Sequence, residues 1–89
     1  MVEIKTFEIK NKLGLHARPA AKLVSISSRY KAKVIIEKDG QQVNGKSMLS
    51  VLTMACPRGS KITIRAEGRD AGEAINALER IIEDKFGED

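Results

Sequence analysis

Two hydrophobic periods take turns along the chain. Over residues 2–10 the apolar positions Val2, Ile4, Phe7 and Ile9 predict a strand. Their parity slips between Ile4 and Phe7, which predicts a late start or a bulge. Over 17–29 the period becomes helical, with Ala17, Ala20, Ala21, Leu23 and Val24 on one side. Pro19 falls in the first turn, where its missing N–H costs nothing. Alternation returns over 32–38, with Ala32, Val34 and Ile36 on one face and Ile35 opposite. Asp39-Gly40 is a two-residue hairpin signal leading to a short strand over 41–44. Ser47 can cap a short helix over 48–54, and Pro57-Arg58-Gly59-Ser60 makes a turn. Ile62, Ile64 and Ala66 alternate with Thr63, Arg65 and Glu67, a half-buried strand. Asp70 followed by Glu73 resembles a capping box. The last helix then turns Ala71, Ala74, Ile75, Leu78, Ile81 and Ile82 inward, and Gly87 is placed to end it.

The resulting order, βαββαβα, predicts an α+β open-faced sandwich: one four-stranded antiparallel sheet with three helices on one face. The other face is free to meet water. The 89 residues suffice for one domain, taken as 1–89, and leave no room for a deep pocket with a full catalytic apparatus. Cys56 is the only cysteine, so no intramolecular disulfide is possible. Apolar runs such as Val34-Ile35-Ile36 are too short to span a bilayer, and the first residues show no signal-peptide pattern. A cytoplasmic location without membrane insertion is the expectation.

Charge is unevenly spread: residues 1–69 carry a balance of +9 and residues 70–89 one of −5. A basic face attracts an acidic partner, a phosphate or a nucleic acid. An RNA-binding sheet needs stacking aromatics, and this chain has only Phe7, Tyr30 and Phe86, widely spaced. A small basic RNA-binding domain is therefore the remote alternative, and no nucleic-acid partner is expected.

The segment Gly14-Leu15-His16-Ala17-Arg18-Pro19-Ala20 carries the chemistry. His16 lies where a glycine-containing loop meets a helix, at or beside the N-cap. The first amides there have no intrahelical partner and, with the helix dipole, favour an anion. Pro19 leaves the N–H groups of Ala17 and Arg18 available, and Arg18 adds a guanidinium matched to phosphate oxygens. A neutral imidazole nitrogen is a nucleophile, and phosphoryl transfer asks for positioning and charge stabilisation more than covalent machinery. A lone histidine at a helix start is more often a cap or a surface residue. With one histidine and no ligand cluster, no metal and no cofactor are expected. Nor is a stand-alone enzyme, since paired carboxylates and a nucleotide loop are missing. A pairing of Cys56 with His16 has no support in the sequence, and Cys56 reads as a small apolar residue. Ser47 is on local grounds a structural cap. A short helix cannot bury Met48, Leu49, Leu52 and Met54 together, so part of it is expected to form an exposed apolar patch.

From about Phe7 to Phe86 the sequence resembles the HPr family, the histidine-containing phosphocarriers of the bacterial phosphotransferase system. The resemblance rests on the active-site signature Asn11-Lys12-Leu13-Gly14-Leu15-His16-Ala17-Arg18-Pro19-Ala20, on Val43-Asn44-Gly45-Lys46-Ser47, on Gly59-Ser60-Lys61-Ile62-Thr63-Ile64 and on the helix from Asp70. It implies that His16 is phosphorylated on Nδ1 by enzyme I, itself charged by phosphoenolpyruvate, and passes the group to enzyme IIA components. It implies that Arg18 helps hold and release the group, and that Leu15, Met48, Leu49 and Leu52 form the docking surface of a monomer. Ser47 aligns with a serine modified by an HPr kinase/phosphorylase in some members. Ser50 stands where many such members carry glycine, and Cys56-Pro57 replaces small flexible residues. The end of the chain, residues 84–89, resembles the nitrogen-related regulatory branch, the alternative reading with the same chemistry.

Overall fold

The computed structural model describes residues 1–88; the last residue of the expected nitrogen-branch-like ending, Asp89, lies outside the described residues. The elements run β1 (Val2–Glu8), α1 (Ala17–Ser28), β2 (Lys33–Lys38), β3 (Gln41–Asn44), α2 (Met48–Thr53), β4 (Lys61–Glu67) and α3 (Ala71–Glu83), with a short 3₁₀ turn at Lys85–Gly87. The strands form one sheet in the order β1-β4-β2-β3, and every pairing is antiparallel. The expected βαββαβα architecture is present.

Alternation assigns the two faces. Phe7, Val34, Ile36, Ile62, Ile64 and Ala66 are buried and share one core with Leu23, Val51, Leu78 and Ile82 from the helices. Asp39 and Gly40 turn the β2–β3 hairpin with φ of 52° and 81°, the left-handed pair such a two-residue turn requires.

Several local expectations are corrected. β1 pairs with β4 in unbroken register from Val2↔Glu67 to Glu8↔Lys61, with neither bulge nor late start. The parity slip arises because Val2 and Ile4 lie on the open face, 56% and 62% exposed, while Phe7 points into the core. The strand ends at Glu8, although Ile9 still donates to the Ser60 carbonyl at 2.8 Å. On α1, Ala17 and Ala21 are exposed, and the buried stripe is Pro19, Ala20, Leu23 and Ser27. Two alanines carry too little apolar area to set a helix face against a leucine.

The Asp70–Glu73 capping box is absent. Asp70 begins α3, but its carboxylate accepts from the backbone N–H groups of Lys31 and Ala32, at 2.9 and 2.8 Å. The Lys31 amide is the strongest influence on this carboxyl. With the Ala32 amide it outweighs partial burial and holds Asp70 below the ordinary carboxylate range. Gly87 does not end α3, which stops at Glu83; with φ of +75° it closes the 3₁₀ turn instead. Lys10 binds Glu83 at 2.8 Å, which sets the end of α3 beside the loop that follows β1.

Candidate functional site

Three segments far apart in sequence meet at the start of α1. The first is the loop 11–15. Gly14 adopts φ of +71°, and a Cβ there would lie 2.4 Å from the Cys56 carbonyl oxygen and 2.8 Å from Pro57 Cα. Only glycine can take that conformation at that distance. The second segment, Cys56-Pro57, is thus the wall against which the loop rests, and Leu15 N–H donates to the Cys56 carbonyl at 2.9 Å. Cys56 itself is 5% exposed, and burial pushes its thiol up, with Lys38 opposing only in part. It packs here as a small apolar residue of the core.

His16 is the N-cap of α1, in an extended conformation with φ −85° and ψ −169°. Its side chain makes no capping bond. Its carbonyl accepts from Ala20 N–H at 2.9 Å, and Pro19 has no N–H to satisfy. The amides of Ala17 and Arg18 have no hydrogen-bond partner among the described residues. The helix therefore opens with two free donors and its positive end beside an imidazole, an arrangement suited to an anion.

The third segment follows α3 and contributes Glu88. His16 Nε2 lies 3.1 and 3.0 Å from the two Glu88 carboxylate oxygens. Buried Asn11 donates through Nδ2 to the Gly14 carbonyl at 2.6 Å and to Glu88 Oε1 at 3.0 Å. Both acceptors demand donors, which fixes the orientation of the Asn11 amide. Burial alone would raise the Glu88 carboxyl, but hydrogen bonds from His16 and Asn11, with the Arg18 charge nearby, hold it below the ordinary range. Among the described residues Nδ1 of His16 has no hydrogen bond, and the ring keeps 37% of its side-chain surface exposed. A cleft of about 410 Å³ lies alongside, lined by Lys12, Leu13, Arg18, Lys22, Gly87 and Glu88. Three of its six lining residues are cationic.

Neither Asn11 nor Glu88 was singled out from the sequence as a site residue. Asn11 stands within the active-site signature, but nothing local marks it as a bridge. Glu88 carries no local signal, because its contact spans 72 positions.

The apolar neighbourhood divides as follows. Leu49 and Leu52 of α2 are 75% and 42% exposed, Met48 is half-buried, and Met54 packs into the core. Leu15, expected on the docking surface, is only 6% exposed and supports the loop from inside; Leu13 takes the outward position at 71%. Ser47 caps α2, its Oγ accepting from Ser50 N–H at 3.3 Å. Among the described residues no group of three or more possible ligands could hold a metal ion, and no helix is long and apolar enough to cross a membrane.

A family model described as the PTS HPr component phosphorylation site matches residues 4–84. The chain is 40% identical to the phosphocarrier protein HPr of Treponema pallidum, covering 97% of this chain and 98% of that one. It is 47% identical to the HPr-like protein Crh of Halalkalibacterium halodurans, over 93% and 98% of the two chains. The crystal structure of HPr-C-His from Thermoanaerobacter tengcongensis superposes with a TM-score of 0.95 at 45% identity, covering 98% of each chain.

Proposed function

The chain belongs to the HPr family of the phosphotransferase system, and on that premise we propose that His16 is a phosphoryl carrier between two proteins in the cytoplasm. The donor is enzyme I, charged by phosphoenolpyruvate, and the acceptors are enzyme IIA components. The observation that carries this reading is the start of α1. An imidazole with a free Nδ1 stands at a helix end whose Ala17 and Arg18 amides are open.

The steps follow from that arrangement. The Nδ1 lone pair attacks phosphorus, and the bond from phosphorus to the donor breaks, its electrons leaving with the donor. The amides of Ala17 and Arg18 and the Arg18 guanidinium stabilise the phosphoryl oxygens, which bear charge throughout. The reverse movement hands the group to the acceptor. Each partner supplies what this small site lacks. Met48, Leu49 and Leu52, together with Leu13, form the apolar surface on which partners dock, and the cationic rim steers acidic ones. Ser47, at the edge of that surface, is the regulatory position: a phosphate there adds charge where docking must expel water. Two kinds of name occur among the relatives, phosphocarrier and HPr-like. The reactive histidine at the start of α1 favours the carrier for this chain.

Incubation with enzyme I and phosphoenolpyruvate should add one acid-labile, base-stable phosphoryl group to the wild type and none to His16→Ala. An acid-labile phosphate that persists in His16→Ala would overturn the assignment.

A further inference from the structure

From the pairing of the His16 ring with the carboxylate of Glu88, we infer that Glu88 is a positioning residue that holds a proton on Nε2 and so makes Nδ1 the nucleophile. The inference rests on the phosphocarrier reading and adds a residue to its site.

The contact is built rather than casual. Glu88 is reached through a turn in which Lys85 and Phe86 both adopt left-handed conformations, φ 54° and 56°. Each such residue other than glycine costs about 1–2 kcal/mol, so the turn needs support to persist. Phe86 supplies part of it, with only 2% of its surface exposed. Lys22 of α1 supplies more by donating to the Phe86 carbonyl at 2.6 Å. Asn11 completes it by holding one Glu88 oxygen, leaving both oxygens within reach of Nε2. The Glu88 side chain is 16% exposed, so water competes weakly for this carboxylate.

Chemistry assigns the proton. An ionised carboxylate only accepts, so the ring nitrogen facing it must donate. That nitrogen is Nε2, which leaves the lone pair on Nδ1, the nitrogen that is free of hydrogen bonds. A carboxylate fixing the tautomer and orientation of a working imidazole is an established device in catalysis. Here it has a further consequence. When Nδ1 forms its bond to phosphorus and the donor leaves with its electron pair, the ring gains positive charge while the proton stays on Nε2 beside the carboxylate. When the Nδ1–P bond breaks toward the acceptor, the electron pair returns to Nδ1 and the same neutral tautomer is restored. Neither direction requires a proton to move, which suits a carrier that must load and unload with equal ease.

The test uses the full chain in two measurements. Long-range ¹H–¹⁵N spectra of the unphosphorylated wild type should show a proton on Nε2 that is protected from exchange, and Glu88→Ala should lose that protection. Phosphotransfer from enzyme I should slow about tenfold in Glu88→Ala through kcat, with KM held, as expected for losing the partner that orients a functional imidazole. Glu88→Gln, which keeps the shape but can also donate, should fall between. A thermal melt confirms that each variant is folded. Wild-type exchange protection and rate in Glu88→Ala overturn the inference, as does a slower rate with the Nε2 proton unchanged. A wild type that gains no phosphoryl group on His16 instead overturns the underlying reading, a result distinct from an unaffected Glu88 variant.

Discussion

Helices α1 and α3 begin alike and are used in opposite ways. Each opens on a polar residue whose side chain makes no capping bond within its own helix. At α3 the side chain is turned to the fold: Asp70 ties the α1–β2 connection by accepting from Lys31 and Ala32. At α1 the His16 side chain stays partly exposed beside Glu88, and among the described residues the Ala17 and Arg18 amides have no partner, the arrangement we propose for phosphoryl transfer. Leaving helix donors open forgoes the ~1 kcal/mol a good cap contributes, which is sensible only where a ligand will occupy them. A third start sharpens the contrast, because Ser47 satisfies its own helix through Ser50 N–H. A polar residue at a helix start thus says little about its use until its partners are known.

The comparison can be broken or refined by substitution. The largest effect is expected at Gly14, where alanine must accept a left-handed φ and a clash with the Cys56 carbonyl. Gly14→Ala should destabilise by about 2–4 kcal/mol and lower Tm by roughly 10 °C or more, with phosphotransfer failing alongside. A variant that melts normally would detach the loop from its wall.

Arg18→Ala comes next. It should slow transfer tenfold or more, on the scale of a lost charge-assisted contact of ~1.5–3 kcal/mol. Its Tm should stay level or rise slightly, since a cation is unfavourable at a helix N-terminus. Loss of stability with normal transfer per folded molecule would place Arg18 with Asp70 as a residue of the fold.

Ser47→Asp should slow transfer from enzyme I severalfold at low salt while α2 is retained, because an acidic side chain suits the helix start but burdens the adjacent surface proposed for docking. Wild-type rates across a salt series would leave Ser47 as a cap only.

Asp70→Asn should show the smallest effect on function and a clear one on stability. Its carboxyl titrates below the ordinary range in the folded protein. Its stabilisation is therefore fully present above the unfolded-state value and fades as pH falls through the folded one. The Tm gap between Asp70→Asn and wild type should be open at neutral pH and close under acid, with transfer per folded molecule unchanged throughout. A gap that persists at low pH would mean that the charge of Asp70 is not what ties the connection.

Element types were legible because strong periodicity decides them: the alternation of Ile62, Ile64 and Ala66 and the inner face Ala74, Ile75, Leu78 and Ile82 appear as expected. The placement of His16 and Arg18 at the start of α1 was legible because the segment around them is contiguous. What was missed depends on distant partners. The Asp70 carboxylate forgoes its local bond for amides 39 and 38 positions away. Glu88 reaches His16 only because Phe86 is buried and Lys10 and Lys22 hold the end of α3 and the turn that follows it. Leu15 and Leu13 are two apolar residues in one loop, and which of them faces outward is set only once the folded loop lies with Gly14 against Cys56 and Pro57.

The central claim is that His16 carries the phosphoryl group on Nδ1, and ³¹P–¹⁵N spectroscopy of the ¹⁵N-labelled protein charged by enzyme I and phosphoenolpyruvate tests it directly. The account predicts one phosphorus coupled to Nδ1 of His16, with the proton still on Nε2. Phosphorus coupled to Nε2, or found on any other residue, would contradict it.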